Sequence, residues 1–349
     1  MGDQEWTELI PGLPEELGLE CLTRLHYSAH RLASRVCKRW RHLLQSKDFY
    51  YHRRETGFTH KVACLVQALP AQTGSKPTGQ PRYGISLFDP VTRGWDRVDP
   101  VPKYPDGLPM FCQMASTEGK LVVMGGWDPS TWEPVRDVFV YEFTTRRWAQ
   151  CADMPSTRSF FAMGAAGGRV VVAGGHDESK NALSSAWVFD VKEGAWAEAA
   201  AGGMSEERDE CEGVVVGSEF WVVSGYGTET QGGFKSSAEV YDMTGGGGWR
   251  TVEGAWPVSR CPRSCVGVKR GGNGISLVCW AEAEAEAAVQ VGVCGVEIGR
   301  RWTLVTGAAY QGAPHGFYLR EEGQNGKLTK VNVCDEYAGY VQSGCCVEI

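Results

Sequence analysis

The sequence predicts a mainly β fold, a propeller of six blades with five as the alternative count, preceded by a small helical module. Three observations carry this. Tryptophans recur at Trp95, Trp148, Trp196, Trp249 and Trp302, with gaps of 53, 48, 53 and 53 residues, a period that marks stacked structural repeats. Apolar runs ending in glycine recur at nearly the same pitch: LVVMGG closes at Gly126, VVVAGG at Gly175 and WVVSG at Gly225. Each unit also holds several short apolar runs separated by turn residues, the pattern of multiple strands per repeat. The 45 glycines and 13 tryptophans among 349 residues suit short strands, tight turns and large aromatics packed between sheets.

Residues 10–55 read differently from everything after them. In IPGLPEELGLECLTRL, Pro14 sits where a first helical turn tolerates it, Glu15 and Glu16 follow near the positive helix end, and Leu17, Cys21 and Leu25 recur at i, i+4, i+8 with Leu22 beside them. This predicts a short amphipathic helix. SAHRLASRVCKRWRHLLQS predicts a second, capped by Ser28, with Leu32, Val36, Trp40 and Leu44 on one stripe and the arginines and lysine largely elsewhere. So short a module builds a poor core alone, which leaves apolar surface for a partner or for a cap over the propeller end.

The segments LPEELGLECLTRL and LASRVCKRWRHLL together resemble an F-box, with its Leu-Pro start, Leu-rich first helix and Val-Cys-Lys-x-Trp segment. The resemblance implies docking on an acidic Skp-type adaptor, and through it a cullin. By position it implies contact through Leu13, Pro14, Leu17, Leu22, Leu25, Val36, Cys37 and Trp40.

Residues 62–349 carry the repeats. The second unit is clearest, with MFCQMASTEG, KLVVMGG, DVFVYEF and RWAQCADMP; SFFAMGAAGG, RVVVAGG, SAWVFDV and AWAEAAAG make the third, and ECEGVVVG, EFWVVSGY, SAEVYDM and WRTVEGAW the fourth. This order resembles the Kelch repeat, a propeller-forming unit. The glycine pair admits positive φ at a crowded turn, and the tryptophan fills the wedge between blades. In the first unit, VACLVQAL, YGISLFD and WDRVDPVP lack an innermost strand, which YVQSGCCVEI at the C-terminus is expected to supply, so closing the ring. SCVGVKRG, ISLVCWAE, VQVGVCGVEI and RWTLV read as a fifth unit, with HGFYLREEG and KLTKVNV as a degenerate sixth. The five-bladed alternative rests on the likeness of EIGRRWTLVTGAAYQG to VVGSEFWVVSGYGTETQG. The low-complexity stretches at 70–82, 245–248 and 281–288 read as flexible insertions.

Charge and cysteine usage narrow the function. Nine Lys or Arg against one acid lie between Arg24 and Arg54, leaving 26 bases against 41 acids elsewhere. A basic module on an acidic body points to an acidic partner for the first and away from nucleic acid for the second. Thirteen scattered cysteines without a CxxC pair, no secretory leader pattern and no run long enough to span a bilayer lead to an expectation of a cytoplasmic or nuclear protein. No GxSxG, HExxH or phosphate-cradling glycine loop appears, so neither a catalytic site nor a cofactor or metal is expected.

The varied loops after the glycine runs and the segments joining blades should emerge on one face. Arg158, Arg208 and Arg263, each before the first strand of a unit, are expected to ring its mouth, either holding carboxylates of a target or bridging neighbouring acids. Trp127, Trp132, His176, Tyr226 and Phe234 are the aromatic candidates beside them. The chain as a whole resembles plant F-box/Kelch-repeat proteins, substrate receptors of SCF ubiquitin ligases. That implies a propeller that binds a target protein for degradation and no chemistry of its own. Members of the group are linked to turnover of phenylalanine ammonia-lyase or of cytokinin response regulators. A non-enzymatic Kelch scaffold or cytoskeletal protein is the alternative.

Overall fold

The computed structural model describes residues 8–70, 81–199, 203–244, 248–271, 274–283, 289–322 and 328–349. The stretches read as insertions at 70–82, 245–248 and 281–288 fall largely outside them. Four helices come first: α1 (Glu15–Thr23), α2 (Tyr27–Ala33), α3 (Lys38–Gln45) and α4 (Lys47–Glu55). They enclose a small core of Leu9, Leu22, Ala33, Leu44 and Phe49.

Strands take over at β1 (Lys61–Ala68), β2 (Tyr83–Phe88) and β3 (Trp95–Arg97). The second blade is β4 (Gln113–Thr117), β5 (Lys120–Met124), β6 (Val138–Glu142) and β7 (Arg147–Gln150); the third is β8 (Ala162–Ala166), β9 (Arg169–Ala173), β10 (Ala186–Asp190) and β11 (Ala195–Glu198). The fourth is β12 (Glu212–Val216), β13 (Glu219–Val223), β14 (Ala238–Asp242) and β15 (Trp249–Val252). Next come β16 (Val266–Gly271) and β17 (Gly274–Cys279), then β18 (Val291–Ile298), β19 (Trp302–Ala308), β20 (Gly316–Glu321) and β21 (Leu328–Lys330), and last β22 (Val341–Glu348).

These strands make five antiparallel four-stranded blades and one two-stranded sheet, β16–β17, standing between the fourth blade and the last. Both expected counts are visible in this result. There are six stations around the ring, and the sixth is only a hairpin among the described residues. The strand assignment of the last units is corrected. VQVGVCGVEI and RWTLV are the first and second strands of the final blade, with HGFYLREEG and KLTKVNV as its outer strands. Trp302 therefore leaves the tryptophan series, since it opens a second strand paired with Glu321 rather than an outermost one. The likeness of EIGRRWTLVTGAAYQG to the β12–β13 region is the alignment that the sheet follows.

Each blade buries both faces, and alternation along a strand divides its side chains between two neighbours. On β1, Val62, Cys64 and Val66 pack toward the second blade, whereas Ala63 and Leu65 pack toward the last. Three outer-strand tryptophans tie the second, third and fourth blades each to the one before. Trp148 Nε1 donates to the Asp99 carbonyl at 2.7 Å, Trp196 to Ala152 at 3.0 Å and Trp249 to Ala199 at 3.2 Å. Each ring also rests on an aromatic of its own third strand, at centroid distances of 4.9, 5.0 and 5.2 Å from Tyr141, Phe189 and Tyr241. A tryptophan period of roughly 50 residues is thus the period of one interblade contact.

The C-terminal strand closes the ring as the sequence led us to expect. β22 pairs antiparallel with β1 from Lys61↔Glu348 to Gln67↔Val341, and His60 and Ile349 exchange two backbone hydrogen bonds of 2.8 Å just beyond it. Deleting Val341–Ile349 should unpair β1 along one whole edge, each unmade buried backbone group costing about 1–3 kcal/mol. The truncated chain is expected to melt at least about 10 °C lower or to be insoluble. A calorimetric melt unchanged from wild type would refute ring closure through β22.

Candidate functional site

The protein offers two surfaces, one on the helical module and one at the opposite mouth of the propeller. The inner strands surround a channel of about 590 Å³, whose wall takes Tyr50, Tyr51 and Arg54 from α4. The helices are anchored on that side: Tyr51 Oη donates to Glu118 Oε1 at 2.9 Å, Lys47 Nζ pairs with the same carboxylate at 2.7 Å, and Thr144 Oγ1 donates to the Leu44 carbonyl at 3.3 Å. Glu118 lies in the turn between β4 and β5, so the lead-in to β4 and the loop after β5 lie at the other end of the blade.

The helical module departs from the second predicted helix. Residues 34–37 break it into α2 and α3, and His26 rather than Ser28 caps α2, its Nδ1 accepting from Ser28 N at 3.3 Å. Cys37 takes an extended backbone, φ −155°, and its sulfur accepts from Trp40 N at 3.4 Å as the cap of α3. The stripe Leu32/Val36/Trp40/Leu44 is consequently not one helical face. Leu32 and Val36 point to solvent at 68% and 64% exposure, while Leu44 is buried and Trp40 turns inward, donating to the Leu9 carbonyl at 2.7 Å. The residues expected to meet an adaptor divide the same way. Pro14, Leu17, Val36 and Cys37 are exposed, Leu13 is half-buried, and Leu22, Leu25 and Trp40 belong to the module core. An Arg39–Glu15 pair at 2.5 Å brings the start of α3 beside the start of α1, so the exposed set gathers at two adjoining helix ends.

His30 is buried in this module beside Phe49 and Arg53. Burial, reinforced by the Arg53 guanidinium, pushes its pKa down to about 3. The folded protein therefore keeps His30 neutral where the unfolded chain, with an ordinary value near 6.5, takes a proton. Above about pH 6.5 the residue adds nothing to the pH dependence. Between about pH 6.5 and 4 it should erode stability steadily as the pH falls. Urea unfolding of wild type and His30→Gln across that window should show a shallower slope in the variant; identical slopes would contradict a neutral buried His30.

At the mouth, the second residue before each of the inner strands β4, β8, β12 and β16 lies in the left-handed region: Phe111 (φ 60°), Phe160 (55°), Glu210 (49°) and Ser264 (58°). The glycine runs pack against these lead-ins, and a Cβ on Gly175 would come within 2.3 Å of the Ser159 carbonyl. Alignment on the left-handed residues corrects the expected ring of arginines. Arg158 and Arg208 lie two residues before them, but Pro262 occupies that place in the next unit, and Arg263 falls one residue later.

The shift separates their roles. Arg158 is 1% and Arg208 0% exposed. Arg158 donates to the Gly174 and Ser185 carbonyls and to Ser156 and Ser185 hydroxyls, at 3.0–3.1 Å. Arg208 donates to the Ser224 and Ser237 carbonyls and the Ser237 hydroxyl, with buried Glu239 3.6 Å from its Nε. These two side chains bind carbonyls at the end of the second strand and just before the third, and they do not line the mouth. Arg263 does: its guanidinium lies 4.5 Å over the Phe160 ring.

The expected aromatics also divide. Trp132 is exposed and Trp127 and Phe234 are half-buried, whereas His176 and Tyr226 are buried. Trp127, His176 and Tyr226 follow the three glycine runs. Two of them link blades, through Trp127 Nε1 to Ser159 Oγ at 2.7 Å and His176 Nδ1 to the Asp209 carboxylate at 2.9 and 3.0 Å. Phe111 and Phe160, 5.0 Å apart at the channel mouth, were missed because FCQ and SFF read as strand starts. Bulky residues held at positive φ give no local signal except their repeated place two residues before an inner strand. Among the described residues no His, Cys, Asp and Glu group is placed to hold a metal, and no helix is long and apolar enough to cross a membrane.

A helical module on one propeller face and a loop-built mouth on the other define a two-ended binding protein. Family comparisons agree with that class. An F-box domain model matches residues 10–52, and a KLHDC2/KLHL20/DRC7 Kelch-repeats domain model matches residues 60–269. The Arabidopsis thaliana F-box/kelch-repeat protein At1g15670 is 37% identical over 98% of this chain and its own entire length. Two more from the same plant, At2g44130 and SKIP20, are 40% and 38% identical over 72% of this chain and 67% and 68% of theirs. The chain belongs to the F-box/kelch-repeat family.

The fully buried Arg208 and the half-buried Arg263 make different stability predictions. Arg208→Ala should cost about 3–5 kcal/mol, because it takes from buried Glu239 the cation 3.6 Å away and removes the arginine's bonds to the Ser224 and Ser237 carbonyls. Arg263→Ala should stay within about 1 kcal/mol. Urea denaturation of the two variants checks this, and equal losses would contradict the register correction.

Proposed function

We propose that this protein is the target-recognition subunit of an SCF-type cullin ubiquitin ligase. The helical module, residues 10–55, binds a Skp-type adaptor, and the propeller, residues 62–349, binds a target protein. The observation that carries the reading is the placement of the two surfaces. The exposed apolar residues of α1 and of the α2–α3 break lie on a module fixed to one propeller face, and the aromatic mouth opens on the other. A target and a ligase can then be held at once without competing. Ubiquitin transfer becomes a matter of proximity, which raises effective concentration without requiring a reactive residue in this chain.

In this reading Leu17 and Val36, with Leu32 added by the structure, supply the apolar contact, and the neighbouring basic residues complement an acidic adaptor. Leu22, Leu25 and Trp40 act indirectly by holding the module together. The protein works in the cytoplasm or nucleus and is not itself an enzyme. Phenylalanine ammonia-lyase and a cytokinin response regulator are the two targets we would examine first.

Leu17→Asp combined with Val36→Asp should abolish capture of a Skp-type adaptor, with a melting temperature within about 2 °C of wild type because both residues are exposed. In plant cells the same variant should retain and accumulate its target, read by immunoblot for the two proteins named above and by mass spectrometry of the captured material. Undiminished adaptor capture would sink the receptor reading.

A further inference from the structure

A pocket of about 400 Å³ opens at the mouth where the lead-ins to β16, β18 and β22 meet Phe111 and Phe160. Two polar side chains in its wall lack partners. Arg263 Nη1 is buried without a hydrogen bond, and no ion pair among the described residues reaches this guanidinium. Gln342 is 8% exposed, and neither Nε2 nor Oε1 has a partner. Leaving buried donors and acceptors unmade is costly, and native proteins do so seldom. Two such groups facing one cavity point to a ligand that completes them.

We propose that this pocket is a carboxylate subsite that accepts an acidic side chain, Asp or Glu, from the target. The proposal rests on the receptor reading and names the chemistry that its mouth recognises.

The geometry suits this occupant in three ways. The one-residue shift relative to Arg208 takes Arg263 out of the blade interior and lays it on Phe160, 4.5 Å from the ring centroid. Stacking uses the face of the guanidinium and leaves its in-plane N–H groups for a two-oxygen acceptor. The wall offers a monoanion one guanidinium and one neutral amide, and Arg260, exposed on the rim, adds a second positive charge. The nearby Glu212 carboxylate is already engaged, its Oε2 accepting from Ser264 N at 2.5 Å and its Oε1 from Gly213 N at 3.1 Å. Phe111 and half-exposed Tyr340 give the rim apolar surface for residues flanking the acid.

The test is ligand-observed NMR on the full chain at low salt, with N-acetyl-glutamate N-methylamide as the probe and its glutamine counterpart as control. The glutamate probe should saturate in the millimolar range, the scale of a single charged contact, and the glutamine probe should bind at least about tenfold more weakly. Arg263→Gln and Gln342→Leu should each weaken the glutamate probe about tenfold while the melting temperature holds. If Arg263→Gln does not fold, Arg263→Lys takes its place: it keeps the charge but loses the fork, and should weaken the probe by a smaller factor. Equal binding of the two probes, no binding of either, or indifference to both substitutions would overturn the proposal. So would displacement by inorganic phosphate at lower concentration than by acetate, which would indicate a phosphorylated target segment. None of these readouts involves the adaptor, so a loss of adaptor capture and a loss of probe binding are distinguishable.

Discussion

The structure depends on every blade having a neighbour on each side. A four-stranded sheet with alternate residues apolar on both faces is insoluble as a free unit, and it becomes stable only when the ring leaves no face uncovered. The pairing of β1 with β22 meets that condition at the seam, because it joins the two ends of the repeat region in one sheet. The same pairing gives β1 its double burial, with Ala63 and Leu65 serving the last blade and Cys64 and Val66 the second. The interblade tryptophan bonds then hold rigid what closure has assembled.

A closed ring also decides which ends of the strands are available for binding. Turns between the first and second strands face the helices, where Glu118 takes both Tyr51 and Lys47. The lead-ins and the loops after the glycine runs face away. Their tight approach to one another goes with positive φ both at Gly175 and at Phe111, Phe160, Glu210 and Ser264, two residues before β4, β8, β12 and β16. At Phe111 and Phe160 that backbone directs two aromatic rings at the channel mouth. Strain of this kind is kept only where surrounding structure enforces it, and here it builds the wall of a recognition surface.

The two-stranded sheet gives the ring its asymmetry. In the fourth unit a buried arginine binds the end of its own second strand, while the β16 unit has Pro262 in that place and moves its cation to the mouth. Among the described residues this unit is also the one with two strands in place of four.

The sequence alone determined the fold class, the place of the helical module, the strand content of units two to four and the closing strand, because period, glycine placement and alternation are local records of repeated packing. It also carried the family resemblance, through the LPEEL and VCKRW segments and the Gly-Gly and Trp spacing. Three matters waited for the tertiary structure. The break between α2 and α3 turned on the Cys37 cap and on Trp40 finding the Leu9 carbonyl 31 residues away. The assignment of RWTLV to a second strand turned on pairing with β20, which local apolar pattern does not specify. The fate of the three arginines turned on register: spacings of 50 and 55 residues look equivalent along the chain, but a one-residue offset at a left-handed turn sends one guanidinium to the mouth and leaves the other two among backbone carbonyls.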